Sequence, residues 1–467
     1  MDFTVSIFWI ILLTGLFLFF LANGVMKFVF KKDETNFHKA SLAIISLTLL
    51  GTASIETLVL FLTLTSVSYI AGTRMVKLPE RQQKHSLGVV VCILLAPLIY
   101  YKYRFFVLSL FGVTTESNFT VFIPIGISFY TFQIIGYLID SRRTKDAIPS
   151  FLDYINFVSF FSQIVAGPIE RRDDLLPQMA KFRFKLDFTR INFGLRFIIL
   201  GLFFKLCLGD NLAICYMRES AGNPWAIWFN NIGFGLRIYF DFAGYGLTAY
   251  GLAHCLGVKL IMNFLSPYSA TNISDFWRRW HISLTNWFRD YIYFSIGGSR
   301  TKFWAANLIF VFLISGLWHG SSWNFVLWGG LNGVGLVVHK IFRKQNILRL
   351  PSWLSYIITM FFVFFTWMVF HERSMGVLVK NIGILFDMKT YAISTLKMLA
   401  RSNTSEMLIM SFCLVVAAVV VLLEHLGRRI KKDVYSLLTS TPAILVQIFM
   451  LVWFSSGSAN EFIYFAF

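Results

Sequence analysis

Long apolar runs alternate along the chain with short polar connectors, most of them basic. Apolar residues fill Val5 to Leu21, 41 to 72, 86 to 101, 104 to 112, 119 to 139, 151 to 168, 191 to 208 and 225 to 256. They resume at 303 to 318, 322 to 338, 352 to 370, 376 to 387, 406 to 423 and 441 to 456. A membrane-crossing helix needs about 17 to 25 apolar residues, and many of these runs fall in or above that range. The alternation with regular polar turns that marks a membrane barrel is absent. The pattern predicts an all-α polytopic membrane protein with about eleven transmembrane helices.

Three runs depart from a simple span. Gly51 and Glu56 interrupt 41 to 72, and the basic stretch Arg74 to Lys84 that follows favours a two-helix hairpin over one kinked helix. The run 151 to 168 is short, ends at Gly167-Pro168 and is flanked by basic residues on both sides, at Asp140 to Lys145 and Arg171 to Arg190. Same-side flanks predict a re-entrant element, which is tolerated only inside the protein or along a wet cavity. The run 225 to 256 carries Arg237, Asp241 and His254 with Tyr239 and Tyr245. Arg237 and Asp241 lie one turn apart, so they form either a pair locking the bundle or one wall of a polar cavity.

Composition agrees: 57% of the 467 residues are hydrophobic and only 14% charged. The net charge of +18 sits in connectors beside apolar runs, where the positive-inside rule accounts for it; nucleic acid is not indicated as a partner. Lys27, Lys31 and Lys32 follow the first run and nothing basic precedes it, which predicts an extracytoplasmic N-terminus. The first run lacks a basic leader and a small-residue cleavage pattern, so it reads as a retained span. Arg428, Arg429, Lys431 and Lys432 precede the last run, and Ser455 to Phe467 carries no basic residue, which predicts an extracytoplasmic C-terminus. Cys92, Cys207, Cys215, Cys255 and Cys413 show no CxxC spacing, so neither zinc nor a disulfide framework is indicated. No internal repeat or soluble module is visible, and 1–467 reads as a single integral membrane domain.

The chemistry concentrates between Asp275 and Gly320. Asp275 to Arg300 mixes Arg with aromatic rings, a composition suited to a helix lying in the interface plane. An interfacial anchor alone does not account for His281 between Trp280 and Ile282, nor for the break at Gly297-Gly298. Arg278, Arg279 and Arg289 can grip phosphates, because a guanidinium pairs with them bidentately. His319 follows in Ser315-Gly-Leu-Trp-His-Gly320, with Gly316 and Gly320 leaving room for a substrate or a close backbone, and Trp318 and Trp323 beside it. An imidazole titrating near neutrality can take a proton from a hydroxyl, the usual task of a general base.

These segments, WRRWHISLTNWFRDYIYFSIGG at 277 to 298 and GLWHG at 316 to 320, resemble the membrane-bound O-acyltransferase family, in its alginate O-acetyltransferase-like bacterial branch. FIPIGISFYTFQIIGYLID at 122 to 140, AGP at 166 to 168 and YFDFAGY at 239 to 245 fit the same branch in the same order. The resemblance covers about 100 to 340 and the extreme C-terminus; the first hundred residues match in hydropathy alone. It implies helices ringed around a central tunnel, re-entrant and interfacial pieces included, with His319 catalytic and His281 a second site. His281 then orients or relays, or makes a structural hydrogen bond. Trp277 would join Arg278, Arg279 and Arg289 around acetyl-CoA, a donor substrate; no permanently bound cofactor is implied. The tail Phe462 to Phe467 resembles the aromatic end of alginate-type members, where Tyr464 would carry the acyl group or anchor the tail at the membrane interface.

The resemblance thus implies an O-acetyltransferase of a bacterial cytoplasmic membrane, acting with an extracytoplasmic partner protein on a cell-surface polysaccharide or peptidoglycan. D-alanyl transfer to teichoic acid is a rival within the family. A transporter or channel is a rival outside it, since intramembrane Arg, Asp and His would serve that too.

Overall fold

Apolar runs with no backbone partner in lipid must satisfy their own N–H and C=O groups, and helices do so within one segment. The structure, a computed structural model, describes residues 3–30, 35–112, 122–144, 148–164, 167–214, 222–345, 350–391, 404–431 and 433–455. Its described elements are helices: α1 Ser6–Phe30, α2 Thr35–Gly51, α3 Ile55–Met75, α4 Glu80–Leu110, α5 Ile127–Thr144, α6 Phe151–Ser159, α7 Arg172–Ala180, α8 Phe188–Ala213 and α9 Pro224–Cys255. Then follow α10 Ile273–Trp277, α11 Ile282–Trp287, α12 Trp304–His319, α13 Trp323–Gln345, α14 Ser352–His371, α15 Met375–Phe386, α16 Thr404–Lys431 and α17 Thr441–Phe454. Seven of these are long and apolar enough to cross a bilayer (α1, α3, α4, α8, α13, α14 and α16), and α12, α15 and α17 are shorter apolar helices. The chain is a multi-pass membrane protein.

The break at Gly51 is real. Thr52 to Ser54 separate α2 from α3, and the Ser54 hydroxyl caps α3 by accepting the Thr57 N–H at 3.1 Å. The pieces 86 to 101 and 104 to 112, by contrast, belong to one helix. A π-helical segment, Ile99–Tyr103, follows Pro97 and keeps α4 continuous to Leu110. Among its described residues the run 151 to 168 forms the nine-residue α6, which rises roughly 14 Å, too little to cross. The stretch 275 to 300, expected as one helix in the interface plane, is instead α10, α11, a π-helical segment Phe288–Tyr293 and a 3-10 turn. Most of its rings are buried rather than spread at a surface, Phe294 being the exposed one, and Trp280 packs on Phe276 at 5.5 Å and on Trp367 at 4.8 Å.

The chain divides into two compact units, 1–198 with 248–261, and 199–247 with 262–467. In the first, α2 and α6 are joined by a buried ion pair, Lys39 Nζ to Asp153 Oδ1 at 2.6 Å. The Tyr154 hydroxyl meets Ser68 Oγ at 2.7 Å, and buried Glu170 accepts the Ile261 N–H at 2.7 Å. In the second, the π-helical segment Phe203–Gly209 of α8 directs Lys205 Nζ to Asp210 at 2.7 Å and to Asp241 at 2.6 Å. The observed partner of Asp241 is thus Lys205, while Arg237 lines a small pocket with His371. Both histidine-bearing segments belong to this second unit.

Candidate active site

His319 is the last residue of α12, and its position follows from how α12 meets α13. A Cβ at Gly316 would fall on the Phe325 carbonyl, and one at Gly329 on the Phe312 carbonyl, so the two helices touch backbone to backbone. A Cβ at Gly320 would collide with the Phe325 ring. Gly316 thus serves a close backbone approach, and Gly320 makes room for the Phe325 ring. The hairpin brings aromatic walls to the imidazole: Trp318 at 4.9 Å, Trp328 at 5.1 Å and Phe370 at 5.3 Å between ring centres. Trp323 is largely exposed.

His281 reaches the same place by a different device. It precedes α11 with φ 43° and ψ 56°, a left-handed conformation rare for a residue with a side chain. Asn263 holds that turn, its carbonyl accepting the Ile282 N–H at 2.9 Å and its side-chain oxygen accepting the Ser283 hydroxyl at 2.6 Å. The imidazole lies edge-on to Phe242 at 4.7 Å and meets Trp318 at 5.9 Å. Trp318 is therefore a wall common to both histidines. His281 sits in a connector between spans, and burial pushes its imidazole down to about 3, which keeps it neutral.

Both imidazoles line one cavity of about 400 Å³. Its apolar wall comes from Leu308, Val311, Phe312 and Leu336. Its cationic lining is Arg278, Arg289, Lys340 and Arg343, and no carboxylate lines it among the described residues. Trp277 is buried in the wall, packed on Phe312 at 5.3 Å and Trp328 at 5.6 Å. Arg289 bonds to Asp290 through Nε at 2.7 Å and Nη2 at 3.0 Å, which holds its guanidinium more basic still.

Arg279 is placed elsewhere. It is buried, bound to both oxygens of Asp275 and to Ser269 Oγ at 2.6 Å, and it is not among the residues lining the cavity. The helical turn at 276 to 280 accounts for this, because adjacent side chains point about 100° apart. Tyr464 lies outside the described residues.

Sequence reasoning missed His339, Lys340 and Arg343, which line the cavity from the C-terminal end of α13. They close an apolar run, a position the positive-inside rule explains without chemistry. It also passed over Lys205, although a lysine inside 191 to 208 carries the same signal as any ionisable group in a span.

The model of the "membrane-bound O-acyltransferase family" matches residues 6–379, which extends the likeness through the N-terminal hundred residues. The chain is 34% identical over 314 residues to the peptidoglycan O-acetyltransferase of Helicobacter pylori, covering 59% of this chain and 60% of that protein. It is 33% identical over 360 residues to the Azotobacter vinelandii protein described as "Probable alginate O-acetylase AlgI", covering 73% of this chain and 71% of that one. The teichoic acid D-alanyltransferase of Bacillus subtilis is 30% identical over 276 residues, 53% of this chain and 69% of that one. With a family match across most of its length, this chain belongs to the membrane-bound O-acyltransferase family.

Proposed function

We propose that this protein is an O-acetyltransferase of a bacterial cytoplasmic membrane, moving acetyl from cytoplasmic acetyl-CoA toward a cell-surface polysaccharide or peptidoglycan. The observation that carries the reading is the cavity itself: His319 and His281 share it with four cationic side chains and no carboxylate among the described residues. Cations suit the phosphates of coenzyme A, guanidinium groups above all. The names of the Helicobacter and Azotobacter relatives support acetyl as the group and peptidoglycan or alginate as the class of acceptor.

In this reading His319 takes the proton from an acceptor hydroxyl as its oxygen bonds to the thioester carbonyl carbon. The C–S bond then breaks, and the imidazolium returns the proton to the departing thiolate, leaving an ester and free coenzyme A. General-base help of this kind contributes roughly 10² to 10⁴ in rate. His281, held neutral, acts as a hydrogen-bonding group beside the reaction and not as the base. Tyr464 is proposed as the acceptor hydroxyl that relays acetyl to an extracytoplasmic partner protein, both termini lying on that side. About eleven transmembrane helices ringed around a tunnel would give the donor and acceptor separate entrances.

Purified protein incubated with acetyl-CoA should release free thiol. His319→Ala should lower that release by at least about a hundredfold with folding intact. Undiminished release by this variant would remove His319 as the base; undiminished acetylation by Tyr464→Phe would remove the relay. D-alanyl transfer is the second reading, favoured by the Bacillus relative's name. Turnover with a D-alanyl thioester and none with acetyl-CoA would establish it. A transporter would release no thiol from either donor.

A further inference from the structure

A second cavity, of about 590 Å³, lies in the same unit, bounded chiefly by α14 and α16, with Leu236 of α9 and the turn from Tyr268 to Thr271 also lining it. Trp353, Tyr356, Met360 and Phe364 line it from α14, and Leu414, Ala417, Ala418, Val421, Leu422 and His425 from α16. The spacing of three and four residues on each helix means that one stripe of each faces the groove. Ala417 and Ala418 leave the space that larger residues would fill. The same stripe of α16 continues past His425 to Arg428 and Arg429, three and four residues on, both exposed.

The groove therefore has an apolar length and one cationic end. The last turn of α16 carries Arg428, Arg429 and Lys431, and Arg343, Lys344 and Arg349 precede α14, so the positive-inside rule sets both of these ends on the cytoplasmic side. Trp353, 65% exposed, and Tyr356 stand at that start of α14, the depth at which aromatic rings meet headgroups. Ser352 lines the groove there as well. The nearby carboxylate of Glu424 is turned inward, where it accepts the Tyr239 hydroxyl at 2.5 Å, and so does not oppose an anion at the mouth.

We propose that this groove holds an anionic phospholipid of the cytoplasmic leaflet, one acyl chain between the α14 and α16 stripes and its phosphate at Arg428 and Arg429. The site is separate from the histidine-lined cavity and does not depend on the reaction proposed for it.

Native mass spectrometry of the purified full chain, exchanged into mixed micelles of phosphatidylglycerol and phosphatidylcholine, tests it. The expected result is one retained phosphatidylglycerol in preference to phosphatidylcholine. Arg428→Gln with Arg429→Gln should lower that preference roughly thirtyfold, since each basic residue near a membrane surface contributes a factor of about five. Ala418→Trp should fill the groove and abolish retention of either lipid. The arginine variants lie on the surface, so they remain informative if Ala418→Trp misfolds. Equal retention of both lipids by the natural sequence would overturn the proposal. So would retention unchanged in the arginine variants, displacement of the lipid by acetyl-CoA, or a second copy of the chain held in its place.

Discussion

Asn263 clamps the backbone on which His281 is mounted: its carbonyl takes the Ile282 N–H at 2.9 Å, and its side-chain oxygen takes the Ser283 hydroxyl at 2.6 Å. Without such a clamp a non-glycine residue at φ 43° would relax, because that region costs about 1–2 kcal/mol. Asn263→Ala strips the side-chain acceptor from a buried hydroxyl, a loss of about 1–3 kcal/mol. The expected outcome is a lower Tm in detergent together with slower thiol release from acetyl-CoA. Asn263→Asp, which keeps the acceptor, should recover most of both. Equal loss in the two variants would show that the acceptor oxygen is not what holds His281.

The Lys205 ammonium stands between Asp210 and Asp241 with all three side chains buried. Removing the cation alone leaves two buried carboxylates without it, and breaking buried pairs in this way costs about 3–5 kcal/mol. Lys205→Met should therefore be expressed poorly or melt early. Combining it with Asp210→Asn and Asp241→Asn removes the uncompensated charge, and thermal stability should return toward that of the natural sequence. Size-exclusion profiles of heated samples distinguish the two.

Glu170 lies in the connector between α6 and α7, outside the spans. Burial pushes its carboxyl from 4.5 up to about 8, the Ile261 N–H opposing and Asp174 adding to the rise. The folded protein thus holds a proton that the unfolded chain has released, throughout the interval between these values. The unfolded state binding fewer protons, stability falls with rising pH across that window and levels off above about 8. Melting temperatures measured from pH 5 to 9 should decline for the natural sequence, and Glu170→Gln should flatten that part of the profile. A decline of the same size in Glu170→Gln would assign it to another group.

Much of this architecture can be read from the runs themselves, since lipid leaves helix as the economical solution for each apolar block. The break at Gly51 follows from that glycine, Glu56 and the basic stretch after them, and the short element at 151 to 168 from its length, its Gly167-Pro168 end and its basic flanks. What periodicity did not disclose lies where one composition serves two environments. The Trp and Arg residues of 275 to 300 suit an interface helix, yet here Trp280 is packed between Phe276 and Trp367 in the interior. Lys102 interrupts the apolar run inside the π-helical turn Ile99–Tyr103, so hydropathy divides α4 into two pieces where the backbone continues. His281 and His319 were visible as residues, but Trp318 as their common wall needs three dimensions.

Arg278 and Arg279 are neighbours in sequence with opposite surroundings. Arg278 lines the histidine cavity with Lys340 and Arg343, whereas Arg279 is spent on Asp275, Ser266 and Ser269. Cations that meet donor phosphates should act on binding and be screened by salt. Arg343→Gln with Lys340→Gln should therefore raise KM for acetyl-CoA roughly tenfold, about 1.4 kcal/mol, with kcat little changed and a weaker dependence on ionic strength. Arg279→Gln should instead lower Tm, because it leaves a half-buried carboxylate at Asp275 without its partner. Any KM effect of that variant should be smaller than its loss of folded protein. If Arg279→Gln were to raise KM at unchanged Tm while the Lys340 and Arg343 variants did nothing, the donor would enter from another side of His281.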